Sequence, residues 1–483
     1  MIHFWVLDTM QDKLIIIVMF CMFQFTLEGQ ELNEMGTKSV VELECVQMKD
    51  GTFVSVVMER VENVDRVLIY RSENLGVNWT LIDSIQSTNG SLGDAYDPVL
   101  TVTKDDKMFL VVMRRNIQGT GVLNMDLEIY ESVDLGLNWT LVGNPHMNDG
   151  IADYPQITND DNGNLYLVYS HFQMVDNDLE GHVNFRKSMD NGRSWSIAET
   201  FEIPSKSPCG PDLSWSSNGV LRIVFGDNKE ENIYITESVD RGDSWAVLDT
   251  ISNNEVNNIC KPLGDSGTSY FGVLSHRPHM DHTKINYHFY DHSTFTWTSS
   301  MIANGSYAEM YREDTGEIHM IYNENNGGIF QLNYIFSLDS GNSFSVPTVL
   351  YKATYSSSRL GEYQSLIKGV DDYFYVVFCD WSHDSEVKVL RFAPFISTGV
   401  EDVLEKELSL YPNPTDSYLT LDFKNSKAVK EVSVFDLSGN LKEVKTTRDK
   451  QLILDLSDLE IGSYLVQIQE GNLTKVEKVV KLE

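Results

Sequence analysis

The sequence predicts an all-β chain assembled from repeats and followed by a small C-terminal β-sandwich. The main observation is an octet of the form S-x-D-x-G-x-x-W that recurs along the chain. It stands as Ser132, Asp134, Gly136 and Trp139, again as Ser188, Asp190, Gly192 and Trp195, and again as Ser238, Asp240, Gly242 and Trp245. An earlier copy reads Ser72, Asn74, Gly76 and Trp79, and a later one Ser337, Asp339, Gly341 and Phe344. A second observation is that alternating apolar runs flank the copies, such as Val67 to Tyr70 and Leu127 to Tyr130. The third is a change of character after about residue 396. Self-similarity at a fixed spacing is the signature of a repeat architecture.

The chemistry of the octet is that of a turn. Ser and Asp side chains bond nearby backbone N–H groups, Gly supplies a positive φ, and Trp re-enters a strand and packs. Each copy therefore reads as the turn of a β-hairpin. The pattern resembles the Asp-box, or bacterial neuraminidase repeat, of sialidase-like β-propellers. That resemblance implies a propeller in which the boxes lie on the blade periphery, so that all these Ser, Asp, Gly and Trp residues are structural.

Spacing sets the blade count. The box serines step by 60, 56 and 50 residues and then by 99, close to two steps. Counting back from Trp297 puts Tyr290, His292 and Thr294 in the box positions, a box decayed around its aromatic plug. A further strand set, Tyr363 to Ile367, Tyr373 to Cys379 and Val387 to Phe392, has no box. Six or seven blades fit, with seven favoured if the segment around Gln30 to Lys38 supplies the missing last strand. Residues 30–396 give roughly 52 residues per unit, which suits four-stranded blades.

A hydrophobic content of 42% with 11% aromatic residues is that of a well-cored globular protein, and a formal charge of −34 argues against nucleic acid or an anionic membrane as partner. The acidity leaves room for Ca2+ and requires no cofactor. Residues 1–29 read as an export signal: Lys13, an apolar run from Leu14 to Leu27, then Glu28-Gly29-Gln30, with cleavage expected near Gly29. The run is too short for a membrane span, so none is expected in the mature protein. Phe20 before Cys21 is too large for a lipoprotein cleavage site. After cleavage Cys45, Cys209, Cys260 and Cys379 remain, and two disulfides or four buried thiols both fit.

Residues 397–407 read as a linker. Residues 408–483 carry short alternating runs that suggest a β-sandwich. Leu410-Tyr411-Pro412-Asn413-Pro414, Val434-Phe435-Asp436 with Ser438-Gly439, and Gly462-Ser463-Tyr464-Leu465-Val466 resemble the C-terminal sorting domain of type IX secretion cargo in Bacteroidetes. That resemblance implies passage through the periplasm to the medium or the outer cell surface, with the type IX machinery as a partner.

In a propeller the inner strand of each blade lines the channel, and sites form where inner strands begin and second strands end. Acids and aromatics gather at those positions: Tyr96-Asp97-Pro98, Asp153-Tyr154-Pro155, Pro211-Asp212, Tyr307-Ala308-Glu309 and Glu362-Tyr363 on inner strands, and Glu59-Arg60, Arg114-Arg115, His171 and Asp380-Trp381 at second-strand ends. Carboxylates beside aromatic rings suit sugars, and a ring of acids also suits a cation, so the metal question stays open.

Two segments are similar to sialidase segments. The run Phe53 to Arg60 with Asp65 looks like the part that carries a substrate-binding Arg, here Arg60, and the acid/base Asp, here Asp65. Glu362-Tyr363-Gln364 is similar to the strand of the nucleophilic Tyr, which makes Tyr363 the catalytic nucleophile of that reading. Sialidases hold the substrate carboxylate with three arginines. The region of the first holds Val40-Val41-Glu42-Leu43, and His282 and Lys284 stand where another is expected. Arg115, Arg277, Arg312 and Arg359 match no motif. Whether the chain is an exo-sialidase-like enzyme therefore stays open. The leading reading is a secreted propeller acting on glycans or glycoproteins, with Glu59, Arg60, Arg115, Asp97, Asp153, Asp212, Glu309, Glu362 and Trp381 as substrate-binding candidates. Its rivals are a non-catalytic adhesin, and a lyase or neutral-sugar hydrolase using rim carboxylates such as Asp97 and Asp153.

Overall fold

The computed structural model describes residues 30–394 and 408–482, apart from 86–94, 118–122, 253–258, 264–269, 277–283, 354–359, 382–384, 424–429, 437–440 and a few single or paired positions. The export signal at 1–29, the linker at 397–407, Arg277, His282 and Arg359 lie outside the described residues.

The described residues form strands and turns only. Six successive groups of four strands and a last group of three are each antiparallel within themselves, and the second and third groups are joined by one parallel pair, Ile151 opposite Met125. The first comprises Val40–Gln47, Phe53–Val61, Val64–Ser72 and Thr80–Ile85, and the pattern repeats down the chain. Inner strands pack in sequence: Val40–Gln47 on Ala95–Val102, then Ile151–Asn159, Pro208–Trp215, Ile259–Leu263, Ser306–Arg312 and Leu360–Lys368, which returns to Val40–Gln47. The seventh sheet has three strands of its own, Leu360–Lys368, Phe374–Asp380 and Glu386–Phe392. Its fourth is Glu31–Glu34 from the beginning of the chain, antiparallel to the last strand with Leu32 opposite Leu390.

The second strands Phe374–Asp380 and Leu221–Asp227 are buried along their whole length, and Phe53–Val61, Leu165–Val175 and Ile318–Asn326 along all but their ends, because each lies in the middle of one sheet and between two others. The cores follow the seams between sheets. One contains Phe53, Val57, Tyr375 and Val389, from the first and seventh sheets, together with Cys45 and Cys379. All four described cysteines are buried thiols, so of the two readings of the sequence the structure shows the second.

All five octets join the third and fourth strands of a sheet in one geometry. The Gly N–H donates to Ser Oγ at 2.7–3.0 Å, and the Ser hydroxyl donates to the Asp or Asn side chain at 2.7–3.0 Å. That side chain also accepts the N–H two residues past the Gly at 2.8–2.9 Å. Hydrogen bonds from Ser244 and Ser238 to its charged form pull Asp240 down to about 2. Trp79, Trp139 and Trp195 donate Nε1–H to the Gly carbonyl at 2.9–3.0 Å. Trp245 is placed by rings instead, edge-on to Phe185 and Phe201 at centroid distances of 4.9 and 5.3 Å.

The octet does more than close its own hairpin. A Cβ on the box glycine would meet a core side chain of the preceding sheet: Val389 for Gly76, Val54 for Gly136, Ile129 for Gly192 and Phe185 for Gly242. Gly341 abuts Tyr287 of the fifth sheet in the same way. Arg71 Nε donates across the same seam to the Leu135 carbonyl at 2.9 Å. Each box therefore staples two blades. In the fifth sheet the box is replaced by a tight turn, Phe295 N–H to Asp291 C=O at 2.8 Å, and Trp297 keeps its place against Tyr290, 4.9 Å between centroids.

Residues 408–482 form two further sheets. Leu408–Tyr411, Tyr418–Phe423 and Gln451–Asp455 make one, and Leu441–Thr447, Lys430–Asp436, Gly462–Glu470 and Leu473–Lys481 the other. Leu419, Leu421, Val432, Val434, Leu454, Val466, Ile468 and Val479 are buried together in one core of their own, as in a sandwich.

Candidate functional site

The inner strands break their ladders at the channel mouth. Register shifts fall between Val40 and Glu42, Tyr96 and Val99, Asp153 and Gln156, Cys209 and Asp212, Ser306 and Glu309, and Leu360 and Gln364. Asp97, Tyr154, Gly210 and Tyr307 take positive φ there, between 42° and 51°. A bulge leaves a backbone N–H off the ladder, and a buried N–H needs an acceptor. Acids of the neighbouring sheet supply it: Asp97 N–H donates to Glu42 Oε2 at 2.8 Å, and past the bulge, on the channel-side edge of the same strand, Leu100 N–H donates to Glu44 Oε2 at 2.7 Å.

These groups surround a cavity of about 220 Å3 lined by Glu42, Glu44, Cys45, Asp97, Tyr154, Lys261, Glu309 and Gln364, among others. The acids fall into two sets. Glu42, Asp97 and Asp153 act on one another, and the nearby Asp65 charge reaches Glu42 as well. Burial holds Glu42 well above the usual carboxylate range, helped by the charge of Asp97 and a hydrogen bond with it. Asp97 is raised by burial but pulled back by that same bond and by the Tyr154 N–H, so the proton of the pair resides on Glu42. Burial also raises Asp153 to about 7, with the charge of Asp97 adding to it.

The second set is Glu44, Asp212 and Glu309 around Lys261. Burial lifts Glu44 to about 8 and Asp212 to about 7, each moderated by Lys261. Lys261 Nζ forms an ion pair with Glu309. Burial works against its charge, yet Glu309, Asp212 and Glu44 together hold its pKa above the ordinary value. Two carboxyls, one protonated and one ion-paired, thus face a single cavity.

Other candidates are placed differently. Arg60 gives both Nε and Nη2 to Asp65, at 2.6 and 2.9 Å. Glu59 is paired with Arg66 Nε at 2.7 Å. Arg115 lies half-buried near the end of the second strand of the second sheet, opposite Met125. Trp381 packs on the core shared by the first and seventh sheets. Glu362 and Tyr363 lie on the bulged part of Leu360–Lys368, and their side chains are outside the described residues.

Glu42, Glu44 and Lys261 were not singled out from sequence. A signal existed for the acids, since Val40-Val41-Glu42-Leu43-Glu44-Cys45 places two of them at alternate positions of an otherwise apolar strand. Lys261 had no counterpart at the other inner-strand starts.

Residues 409–482 match the family model described as the secretion system C-terminal sorting domain. No curated protein sequence matches the chain. Among solved structures, a polysaccharide lyase of family PL25, an ulvan lyase, is similar at 12% identity and a TM-score of 0.54, over 75% of this chain and 94% of that one. The same kind of enzyme bound to -[GlcA(1-4)Rha3S]- gives 12% identity and a TM-score of 0.53 over the same shares. A K499G mutant of NanB sialidase from Streptococcus pneumoniae gives 10% identity and a TM-score of 0.45 over 75% and 94%. At these identities the likeness is one of fold. Among the described residues no helix is long and apolar enough to cross a membrane. The chain is, in fold, an all-β propeller that ends in a sorting domain of the type IX secretion system, which directs it to the cell surface or the extracellular space.

Proposed function

We propose that the propeller acts on glycans outside the cell and that its channel mouth hydrolyses a neutral sugar linkage. The observation that carries this reading is the pair Glu44 and Glu309 on one cavity. Glu44 is held protonated at neutral pH by burial, while Glu309 is ion-paired with Lys261. A protonated carboxyl and an ion-paired one facing a single cavity are what acid-assisted glycoside cleavage needs. Glu44 would protonate the leaving oxygen, and Glu309 would stabilise positive charge at the anomeric carbon or activate water.

The electrostatics select against acidic sugars. Lys261 is the one cation among the cavity's described lining residues, and Glu309 already holds it. Arg60 is likewise held by Asp65, which disfavours the sialidase assignment of Arg60, Asp65 and Tyr363. One observation favours a second reading, a non-catalytic glycan binder: Glu42 and Glu44 also serve as acceptors for backbone N–H groups of the neighbouring inner strand, a structural task sufficient to explain their burial.

Reducing-end release from a panel of neutral polysaccharides, sialosides and uronate polymers separates these readings. Turnover confined to neutral substrates is expected. Preferred cleavage of sialosides or uronates would overturn the proposal, and retention on a glycan array without any turnover would establish the binder. For export, removing residues 408–483 is expected to leave a folded propeller in the periplasm, as read by fractionation and circular dichroism. Appearance of the truncated protein in the medium would contradict a sorting role for the tail.

A further inference from the structure

A second group of titratable side chains lies away from the channel acids, on the seam between the second and third sheets. His146 ends the outer strand Thr140–His146, Asp149 follows in the connection to the third sheet, and His171 lies on Leu165–Val175. One ligand atom from each of these three residues falls within 4.8 Å of the other two. His182 stands directly opposite His171 in the ladder, with Nε2 at 3.0 Å from His171 Nδ1.

His146 is only 2% exposed, and its Nε2 is buried with no hydrogen-bond partner. An orphaned imidazole nitrogen is costly, because buried polar atoms are normally satisfied. The ring stands edge-on to His171 at 5.2 Å and to Tyr169 at 5.4 Å, so packing holds it in place. Gly150 allows the connection to come this close, since a Cβ there would meet the Phe172 carbonyl at 2.5 Å and His171 Nε2 at 3.1 Å. Asp126, Arg186 and Glu202 are the other charged groups whose fields reach the histidines.

We propose that His146, Asp149 and His171 bind a zinc ion, with His182 orienting His171 from behind. Two imidazoles and a carboxylate form a donor set suited to Zn2+, and the ion leaves a fourth position for water. The orphaned nitrogen of His146 gains its missing partner. His171 Nε2 now contacts the Asp149 carbonyl, and binding exchanges that contact for the metal. The His171–His182 bond then fixes the ring and its tautomer, as partners behind metal-bound histidines commonly do.

The test uses the full chain without a polyhistidine tag, stripped with a chelator, dialysed against zinc chloride and assayed for bound metal and affinity by mass spectrometry and calorimetry. One zinc per chain is expected in addition to whatever a His146→Ala, His171→Ala double variant retains. Removing buried His146 endangers the fold, so Asp149→Asn, an exposed change, is the second variant. It should melt like wild type in chelator and bind zinc at least about tenfold more weakly, while His182→Ala should weaken binding by about 10–100-fold. Cobalt in place of zinc should give visible d–d absorption that the Asp149 variant alters. Failure of the wild-type chain to take up zinc, or equal affinity in the Asp149 and His182 variants, would overturn the site.

Discussion

Glu44→Gln is expected to leave a folded propeller with turnover of a neutral glycan reduced by about 10^2–10^4-fold, the usual worth of a positioned general acid. Glutamine keeps an oxygen for the Leu100 N–H, which Glu44 accepts at 2.7 Å, and removes only the proton to be donated. A separate signature lies in stability against pH. Glu44 has a folded pKa of about 8 against an ordinary value of 4.5. Between those values the folded state keeps a proton that the unfolded state has released, so wild-type stability falls as pH rises through that window and levels off above it. The variant lacks this slope, and its advantage should grow to a few kcal/mol on the alkaline side. Thermal melts at pH 5 and pH 8.5 with parallel rate measurements check both parts. A variant with full activity and an unchanged pH slope would remove Glu44 from the site.

The largest effect on stability is expected from Gly341→Ala, at about 3–5 kcal/mol. Its φ of 96° already disfavours any Cβ, and the new methyl would stand 2.1 Å from Tyr287 Cε1, part of a ring buried at 1% exposure. Gly192→Ala shares the backbone strain, but its Cβ meets nothing nearer than the Ile129 methyl at 3.2 Å, so about 1–2 kcal/mol is expected. Denaturant melts of the two variants test the ranking. Equal costs would mean that the backbone conformation, rather than the seam between blades, sets the role of the box glycine.

What could be read from the sequence was whatever obeys a local rule. The box chemistry is written in residues eight positions apart, and the gap around Trp297 showed a lost copy because its aromatic plug survived. The closing strand was legible as a missing fourth partner, and Glu31–Glu34 supplies it. Contacts between sheets were less legible. That Gly242 meets Phe185 rather than its own hairpin depends on how neighbouring blades pack, and no spacing rule encodes that. The channel chemistry was legible only in part. Asp97, Asp153, Asp212 and Glu309 stood out beside prolines and aromatics, whereas Lys261 draws its significance from acids on other sheets. The arginines, by contrast, have partners within their own sheets: Asp65 holds Arg60 and Glu128 holds Arg114.

The pairing of Glu31–Glu34 with Glu386–Phe392 makes the first and last strands of the propeller members of one sheet. Contact order is therefore at its maximum in the seventh blade. Closing a loop of this length costs on the order of 5 kcal/mol in chain entropy by the logarithmic estimate, a cost met by the short strand Glu31–Glu34 together with the core shared by the first and seventh sheets. During synthesis and export six blades can form by nearest-neighbour contact, but the ring cannot shut until residue 392 has emerged. Until then the chain carries two open sheet edges, the kind of surface that invites pairing with other chains. The chain thus depends kinetically on its own two ends meeting, and the long negative surface, at a formal charge of −34, helps keep such half-closed rings apart.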